Sequence, residues 1–364
     1  LSYGLGIDVG TAFTAAAVSR GGPVRTLRLG RRSPLMPSVV RALPDGTLAA
    51  GTGEGGAEIA AHLFRRRLGD SAPMSVGETS STPAELMTAL LTGVLERVKA
   101  RLGGPPDRVV LTCPAGWGPY RREQFAEVTR RAGLSRDRVT LITDAEAVVV
   151  HHHGGRPSGG PAPIAVYDAG GSTFDATVIR TVRVENAEAG PIGVLGVPES
   201  LEWFGGVDLD DAVMTHLDRA ADGAVGLLDP ARPEDTAALR RLREACVRAK
   251  ESVWEAGSVD IDAPGLGRSR PVTLTREALQ AWLRPPLEAG LPVLRRVLDS
   301  VGVRPADLGE VLLVGGTARI PLVATMLTED LGRPVTVLSD PQHRAALGAA
   351  MLAGRAQRPV GPRA

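Results

Sequence analysis

Two aspartates head the segments best suited to chemistry. Asp8 closes an apolar run and opens D-V-G-T-A-F-T-A-A-A-V, and Asp168 opens D-A-G-G-S-T-F-D-A-T-V-I. In each, a glycine-bearing turn follows the acid and an apolar run returns. Glycine lets backbone N–H groups approach an anion, and successive N–H groups form an anion-binding concavity. Thr11 and Thr173 add hydroxyl donors beside these turns. A carboxylate repels a phosphate directly, so the combination calls for a divalent cation between them. Mg²⁺ suits that place, because it keeps several waters and takes few carboxylates. The pattern fits a magnesium-bound triphosphate gripped by one turn from each side.

A third segment, L-L-V-G-G-T-A-R-I-P from Leu312 to Pro321, reads as a buried strand, a Gly315-Gly316 pair and a helix start. Such a junction lets a flat ligand such as adenosine lie against backbone near a helix N-terminus. Arg319 could stack on a base. Gly-rich strand–helix turns are common singly; the three in this order are specific.

The elements that must position these residues follow from periodicity. The two aspartate segments predict strand–turn–strand units at residues 3–17 and 164–180, each followed by strands alternating with helices. This is the pattern of a duplicated α/β unit, with one hairpin on each wall of a cleft. Between the units the sequence predicts a loop-rich stretch at 20–56, a basic helix at 57–68 and a helix at 83–102. Leu86, Leu90, Val94 and Val98 share one face of that last helix, Pro83 lies in its first turn and Gly103-Gly104 close it. A strand at 108–112, a helix at 121–132, a strand at 139–143 and a helix at 145–151 come next. A Gly/Pro-rich surface loop at 152–163 leads to the second unit. Helices are expected at 209–220, 236–256, 275–301, 320–331 and 344–353, the last ended by Gly354, with a strand at 311–314. The Arg/Pro-rich tail, 355–364, reads as disordered.

Composition narrows the class. The chain has 364 residues, 43% of them apolar, enough for a bilobal unit with a sizeable core. A formal net charge of +1 gives no electrostatic case for nucleic acid or an acidic membrane. Cys113 and Cys246 stand far apart and out of metal-ligand spacing, which suits a reducing compartment. No stretch is apolar for long enough to span a bilayer. Only two lysines, Lys99 and Lys250, stand among 42 basic residues. The excess of arginine, alanine and glycine suggests a GC-rich bacterial genome.

D-V-G-T, D-A-G-G-S-T-F-D and L-V-G-G-T-A-R-I-P resemble the two phosphate motifs and the adenosine motif of the DnaK-type heat-shock chaperones, within the wider fold of actin and hexokinase. Other segments agree. T-C-P-A-G-W-G-P-Y-R-R from Thr112 resembles the family's V-P-A strand end and the helix after it, and T-D-A-E-A-V-V from Thr143 its N-E-P-T-A-A-A helix. W-F-G-G-V-D-L-D from Trp203 resembles G-G-E-D-F-D, and R-E-A-C-V-R-A-K from Arg243 its C-E-R-A-K helix. D-P-Q-H-R-A-A-L-G-A-A-M from Asp340 resembles N-P-D-E-A-V-A-Y-G-A-A. The likeness runs from Gly4 to about Ala353.

The resemblance implies an α/β, two-lobed actin-like ATPase fold with a ribonuclease H-like duplicated core and an inserted subdomain in each lobe. Lobe I would take residues 1–180, with core 1–33 and 87–180 around an insertion at about 34–86. Lobe II would take 181–354, with core 181–206 and 285–354 around an insertion at about 207–284. It implies ATP or ADP with Mg²⁺ in the cleft, and slow ATP hydrolysis read out as lobe opening and closing. Asp8 and Asp168 would hold the metal, through water. Gly10, Thr11, Ala12, Gly170, Gly171, Ser172 and Thr173 would surround the phosphates. Gly205, Gly206, Lys250, Trp254, Gly315, Gly316, Thr317 and Arg319 would surround the nucleoside. Asp175 and Thr173 would organise the attacking water, and Asp144 replaces the family's connecting glutamate. Pro114 and Arg122 match a proline and an arginine that couple nucleotide state to a substrate-binding half. Implied partners are the nucleotide, a co-chaperone and a C-terminal substrate-binding domain absent from this sequence. A cytoplasmic monomer is expected.

Departures matter too. The family's catalytic lysine has no lysine counterpart here, and Arg65 is the best match, a wide guanidinium fork in place of a point charge. Losing that donor slows hydrolysis, because phosphoryl transfer depends on positioning and charge. Val247, Glu251 and Trp254 replace polar contacts on the adenosine side, leaving adenine either loosely held or stacked on Trp254. The alternatives are therefore a nucleotide-binding pseudo-ATPase or regulatory module, or another member of the actin-like fold. Blander readings stand beside these. Arg65, Arg66 and Arg67 also fit an exposed basic helix face, and Trp117 and Trp203 fit packing. Cys113 reads as a small buried hydrophobe, and His151–His153 as solvated residues rather than metal ligands.

Overall fold

A computed structural model describes residues 2–30, 33–51, 60–61, 63–77, 79–154, 162–181, 192–202, 204–229, 232–263 and 271–355. Most of the expected 152–163 loop, Trp203 and the tail from 356 lie outside the described residues.

Two sheets carry the fold. The first contains β1 (Gly4–Val9), β2 (Phe13–Ser19), β3 (Arg25–Leu27), β4 (Arg108–Cys113) and β5 (Val139–Thr143), in the order β5-β4-β1-β2-β3, with Met36–Pro37 paired to β2. The second contains β6 (Ile164–Ala169), β7 (Phe174–Thr181), β8 (Ile192–Leu201), β9 (Glu310–Val314) and β10 (Thr336–Val337), in the order β8-β7-β6-β9-β10. In both, the first three strands form an antiparallel meander and the last two add in parallel. The same order and the same sense of pairing bear out the duplication read from the two aspartate segments. The sheets divide between Thr143 and Ile164, because β6 and β7 pair within the second sheet. The boundary expected at residue 180 therefore falls too late.

Eight α-helices are described: α1 (Pro83–Leu102), α2 (Pro119–Arg131), α3 (Asp144–His152), α4 (Gly206–Ala220), α5 (Pro233–Ala256), α6 (Arg276–Ser300), α7 (Pro321–Leu331) and α8 (Arg344–Arg355). In α1 the Thr82–Glu85 capping box starts the helix, Pro83 follows, and Gly103 ends it in the left-handed region. Leu86, Leu90, Val94 and Val98 are fully buried in the first-lobe core, as their spacing predicts. Each such burial is worth roughly 1.5–3 kcal/mol.

The basic helix expected at 57–68 does not form among the described residues. Ala60–Ala61 is a short strand paired with Val40–Ala42, and Phe64–Arg67 is a single 3-10 turn. Leu63 ahead of it takes a left-handed conformation, φ 59°, which is incompatible with a helix running through it. Phe64 and Leu68 are buried and pin this turn.

The helices α3 and α8 join the lobes by exchange. α3 leaves the first sheet yet buries Ala145, Val148 and Val149 with Ile164, Val166, Leu312 and Val314 of the second. α8 follows the second sheet yet buries Ala346 and Ala350 with Ala15 and Ala17 of the first. Small residues allow the two helices to cross closely. A Cβ at Gly348 would lie 1.8 Å from the Ala147 carbonyl oxygen. Gly354, expected to stop α8, is a helical residue pressed on Ser19: a Cβ there would lie 2.1 Å from Ser19 Oγ. Gly348→Val therefore forces backbone apart and is expected to cost at least about 3 kcal/mol in denaturant unfolding. Gly104→Ala, with open space around it, is expected to stay within about 0.5 kcal/mol of the parent. Equal stabilities for the two variants would show that the crossing is loose.

Candidate nucleotide and magnesium site

Equivalent positions in the two sheets place the two aspartates. Asp8 is next to last in β1 and pairs in register with Thr112 of β4, whose hydroxyl donates to Asp8 Oδ1 at 2.7 Å. Asp168 is next to last in β6, and its register partner in β9 is Val314, which has no donor to offer. Asp168 Oδ1 is buried without a hydrogen-bond partner. Gly315, at φ 89°, lets the next turn close over it: a Cβ there would lie 2.2 Å from Asp168 Oδ1.

The two turns meet across the cleft. A Cβ at Gly171 would lie 2.7 Å from the Ala12 methyl. Gly10 and Thr11 belong to the first turn. Gly170, Gly171, Ser172 and Thr173 form the second, closed by the Gly170 N–H donating to the Thr173 carbonyl at 2.9 Å. The second turn is braced from behind. The N–H groups of Gly206 and Val207, opening α4, donate to the Gly170 and Gly171 carbonyls at 3.1 and 2.8 Å, and Thr317 Oγ1 donates to the Gly170 carbonyl at 2.8 Å. Gly206 and Thr317 are thus joined to the second turn itself, while the Gly205 N–H serves Asp208 at 2.8 Å.

Two further carboxylates face the pair. Thr173 Oγ1 donates to Asp175 Oδ2 at 2.6 Å, and Ser200 Oγ donates to Asp175 Oδ1. Asp144, first residue of α3, is buried and accepts from the Ala145 N–H at 2.8 Å. Burial, then the nearby charge of Asp175, pushes the Asp144 carboxyl up to about 7, against the pull of Arg65. Asp168 is raised by burial and then by Asp144, Asp175 and Asp8. Asp8 is raised by burial, with Arg65 and Thr112 opposing.

Arg65 faces these acids. Its Nη1 donates to Thr11 Oγ1 at 3.3 Å and its guanidinium lies 5.6 Å from the Trp117 ring centre. Arg66 crosses the cleft, donating to the Ser172 carbonyl and lying 3.8 Å from Asp208 Oδ2. Arg67 turns away to Asp70 at 2.6 Å. The three arginines are therefore no exposed helix face. Between the lobes lies a cavity of about 120 Å³, lined by Thr11, Arg65 and Trp117 on one side and Thr173, Asp175 and Ser200 on the other.

The residues expected around a nucleoside are dispersed around this centre. Lys250 Nζ donates to the Gly206 carbonyl at 2.9 Å and pairs with Asp210 at 2.6 Å. Trp254, a turn along α5, packs on the second-lobe core. Gly316 lies against Gln342, and Arg319 is exposed. Arg122 holds the Pro114–Trp117 turn, donating from Nε to the Trp117 carbonyl at 2.8 Å. Trp117 packs edge-on against Phe125, ring centres 5.5 Å apart, as well as carrying Arg65. Cys113 is buried, as expected of a small hydrophobe, and its thiol is pushed up to about 11, chiefly by that burial.

Thr112, Ser200, Arg66 and Asp210 were not singled out by sequence reasoning. Thr112 sits in the T-C-P segment and is found once β1 and β4 are aligned. Ser200 reaches Asp175 only through β7–β8 pairing and carries no local signal.

The Hsp70 protein family model matches residues 66–358. The chain belongs to the Hsp70 family. The chaperone protein HscA of Pectobacterium atrosepticum is 30% identical over 375 residues, covering 96% of this chain and 57% of that protein. The HscA homolog of Azotobacter vinelandii is 28% identical over 377 residues, and the chaperone protein DnaK of Elusimicrobium minutum 27% over 365, each with the same coverage. The chain spans little more than half the length of these relatives. Its α/β architecture is the actin-like ATPase fold of the Hsp70 nucleotide-binding domain. Among the described residues, no helix is long and apolar enough to cross a membrane.

The acid cluster makes stability depend on pH. A folded-state pKa above the ordinary 3.8 means that the folded protein holds the Asp144 proton more tightly than the unfolded chain does. The contribution of Asp144 is therefore fullest at the acid end and is lost as pH rises toward about 7. In chelator, Asp144→Asn should gain melting temperature relative to the parent as pH rises between 5 and 7, and melt higher than the parent at pH 8. Calorimetric scans showing an unchanged slope in Asp144→Asn would contradict the assignment.

Proposed function

We propose that this chain binds Mg²⁺-ATP between its lobes and hydrolyses it slowly, with nucleotide state read out as lobe opening and closing. The observation that carries the reading is the convergence of Asp8, Asp144, Asp168 and Asp175 from both lobes on Arg65, beneath two touching turns, with Asp168 Oδ1 left without a partner. These residues fit a divalent cation. Asp8 and Asp168 would hold it through water, and it would neutralise phosphate charge when bound. Thr11 and Thr173 orient phosphate oxygens, with backbone N–H groups of both turns. Arg65 supplies positive charge where the family has a lysine. Asp175, steadied by Thr173 and Ser200, would accept a proton from an attacking water. Asp144, at the head of α3, carries the charge state of the cleft into the helix crossing.

Parting of the lobes would widen the cavity between Thr11 and Arg65 on one side and Thr173 and Asp175 on the other. Arg66, gripping Ser172 across the cleft, would let go in that motion. Parting would turn the lobes about α3 and α8. The Pro114–Trp117 turn, held by Arg122, touches Arg65 and would pass the change to the outer face of α2. In a longer protein, a substrate-binding domain or co-chaperone would read it there. A second reading, nucleotide binding without turnover, is favoured by Arg65 in the lysine's place and by Lys250 being engaged with Asp210.

Calorimetric titration of ATP with and without Mg²⁺, followed by a turnover assay, tests both. ATP affinity should rise with Mg²⁺, and Asp168→Asn should abolish the rise. Arg65→Ala should lower kcat by roughly tenfold or more. No purine nucleotide binding would reject the cleft assignment. Tight binding without turnover would decide for the second reading.

A further inference from the structure

A second group of ligating side chains lies at the opposite ends of β6 and β9 from Asp168 and Val314. His152 closes α3, His153 follows it, and Glu310 opens β9 and pairs in register with Ile164. His152 Nε2 lies 2.7 Å from Glu310 Oε2, and His153 Nε2 lies 3.8 Å from Glu310 Oε1. One ligand atom from each of the three falls within 4.8 Å of the others. The two imidazoles stand at 75° with centres 4.9 Å apart. The histidines are thus not simply solvated: the side chains are 25% and 16% exposed.

The His152–Glu310 contact alone is an ordinary hydrogen bond. His153 is what it leaves unexplained, because His153 Nε2 is buried with no hydrogen-bond partner. Burying such a nitrogen is costly unless something accepts its lone pair or its proton. His151 is excluded from the group, since its Nδ1 accepts from Arg344 Nη1 at 2.9 Å.

We propose that His152, His153 and Glu310 form a site for a single Zn²⁺-like transition-metal ion, separate from the nucleotide cleft. Two imidazoles and one carboxylate are a zinc donor set with a fourth position open to water, whereas Mg²⁺ prefers oxygen ligands. Tetrahedral bonds of about 2.0–2.1 Å set ligand atoms roughly 3.3 Å apart. Side-chain shifts of about an ångström reach that spacing from the observed one. Ligation by Nε2 leaves that nitrogen without a proton, and both histidines ligate as neutral imidazoles. The ion ties the end of α3, the helix joining the two sheets, to the first residue of β9.

The test uses the untagged chain, stripped with chelator, and titrated with Zn²⁺ by calorimetry in saturating Mg²⁺. One equivalent should bind with micromolar or tighter affinity and raise the melting temperature, and Co²⁺ in its place should give visible d–d absorption. His153→Ala should weaken binding by at least about 100-fold and Glu310→Gln by at least about 10-fold, with circular dichroism confirming that each variant is folded. His151→Ala should leave binding unchanged. Absence of saturable Zn²⁺ uptake, uptake indifferent to His153→Ala, or uptake lost in His151→Ala would each overturn the site.

Discussion

Like charges crowded away from water are what this cleft has to manage. Asp8, Asp144, Asp168 and Asp175 come from both lobes, and each raises the cost of ionising another. At an effective dielectric of about 20, two unit charges 4 Å apart already repel by roughly 4 kcal/mol. Local hydrogen bonds share the burden unevenly. Asp8 has the Thr112 hydroxyl, Asp175 has two hydroxyls, and Asp144 has a backbone N–H. Asp168 Oδ1 has none, so a cation brought to the cleft relieves that carboxylate most.

The surrounding architecture serves that arrangement. Strand register fixes Asp8 and Asp168 at matching rungs of duplicated sheets, so they face each other without any long-range recognition between side chains. The second turn is braced by α4 and by Thr317, which holds it in place rather than leaving it a free loop. Arg65 and Arg66 come from a single 3-10 turn whose neighbours Phe64 and Leu68 are sunk in the core. One of them serves the acids and the other reaches to the far lobe. The exchange of α3 and α8 between sheets, closed by small residues, concentrates the inter-lobe packing on one crossing. Bulk at Gly348 acts there, against the Ala147 carbonyl one turn along α3 from Asp144.

Much of this was legible in the sequence, for physical reasons. Asp8, Asp168 and the glycine turns announce themselves because strand ends and turns are local features. The face of α1 was readable because Leu86, Leu90, Val94 and Val98 repeat with the helical period. Residues 57–68 read as a helix because three arginines between Phe64 and Leu68 look helical, and the left-handed Leu63 has no signature. Gly354 was taken for a stop because a glycine's close packing on Ser19 cannot be told from a cap without the partner in view. Ser200 and Arg66 act across strands or lobes, so their roles exist only once the sheets are assembled. The nucleoside residues illustrate the same limit. Thr317 and Gly206 were assigned to a ligand, yet in the fold they also hold the Gly170 carbonyl.

The most direct measurement is anomalous diffraction from crystals grown with Mn²⁺ and a non-hydrolysable ATP analogue. The account predicts an anomalous peak between Asp8 and Asp168, beside phosphates contacted by backbone N–H groups of both turns. A nucleotide seated elsewhere, or a metal-free pair of aspartates with the analogue bound, would contradict it.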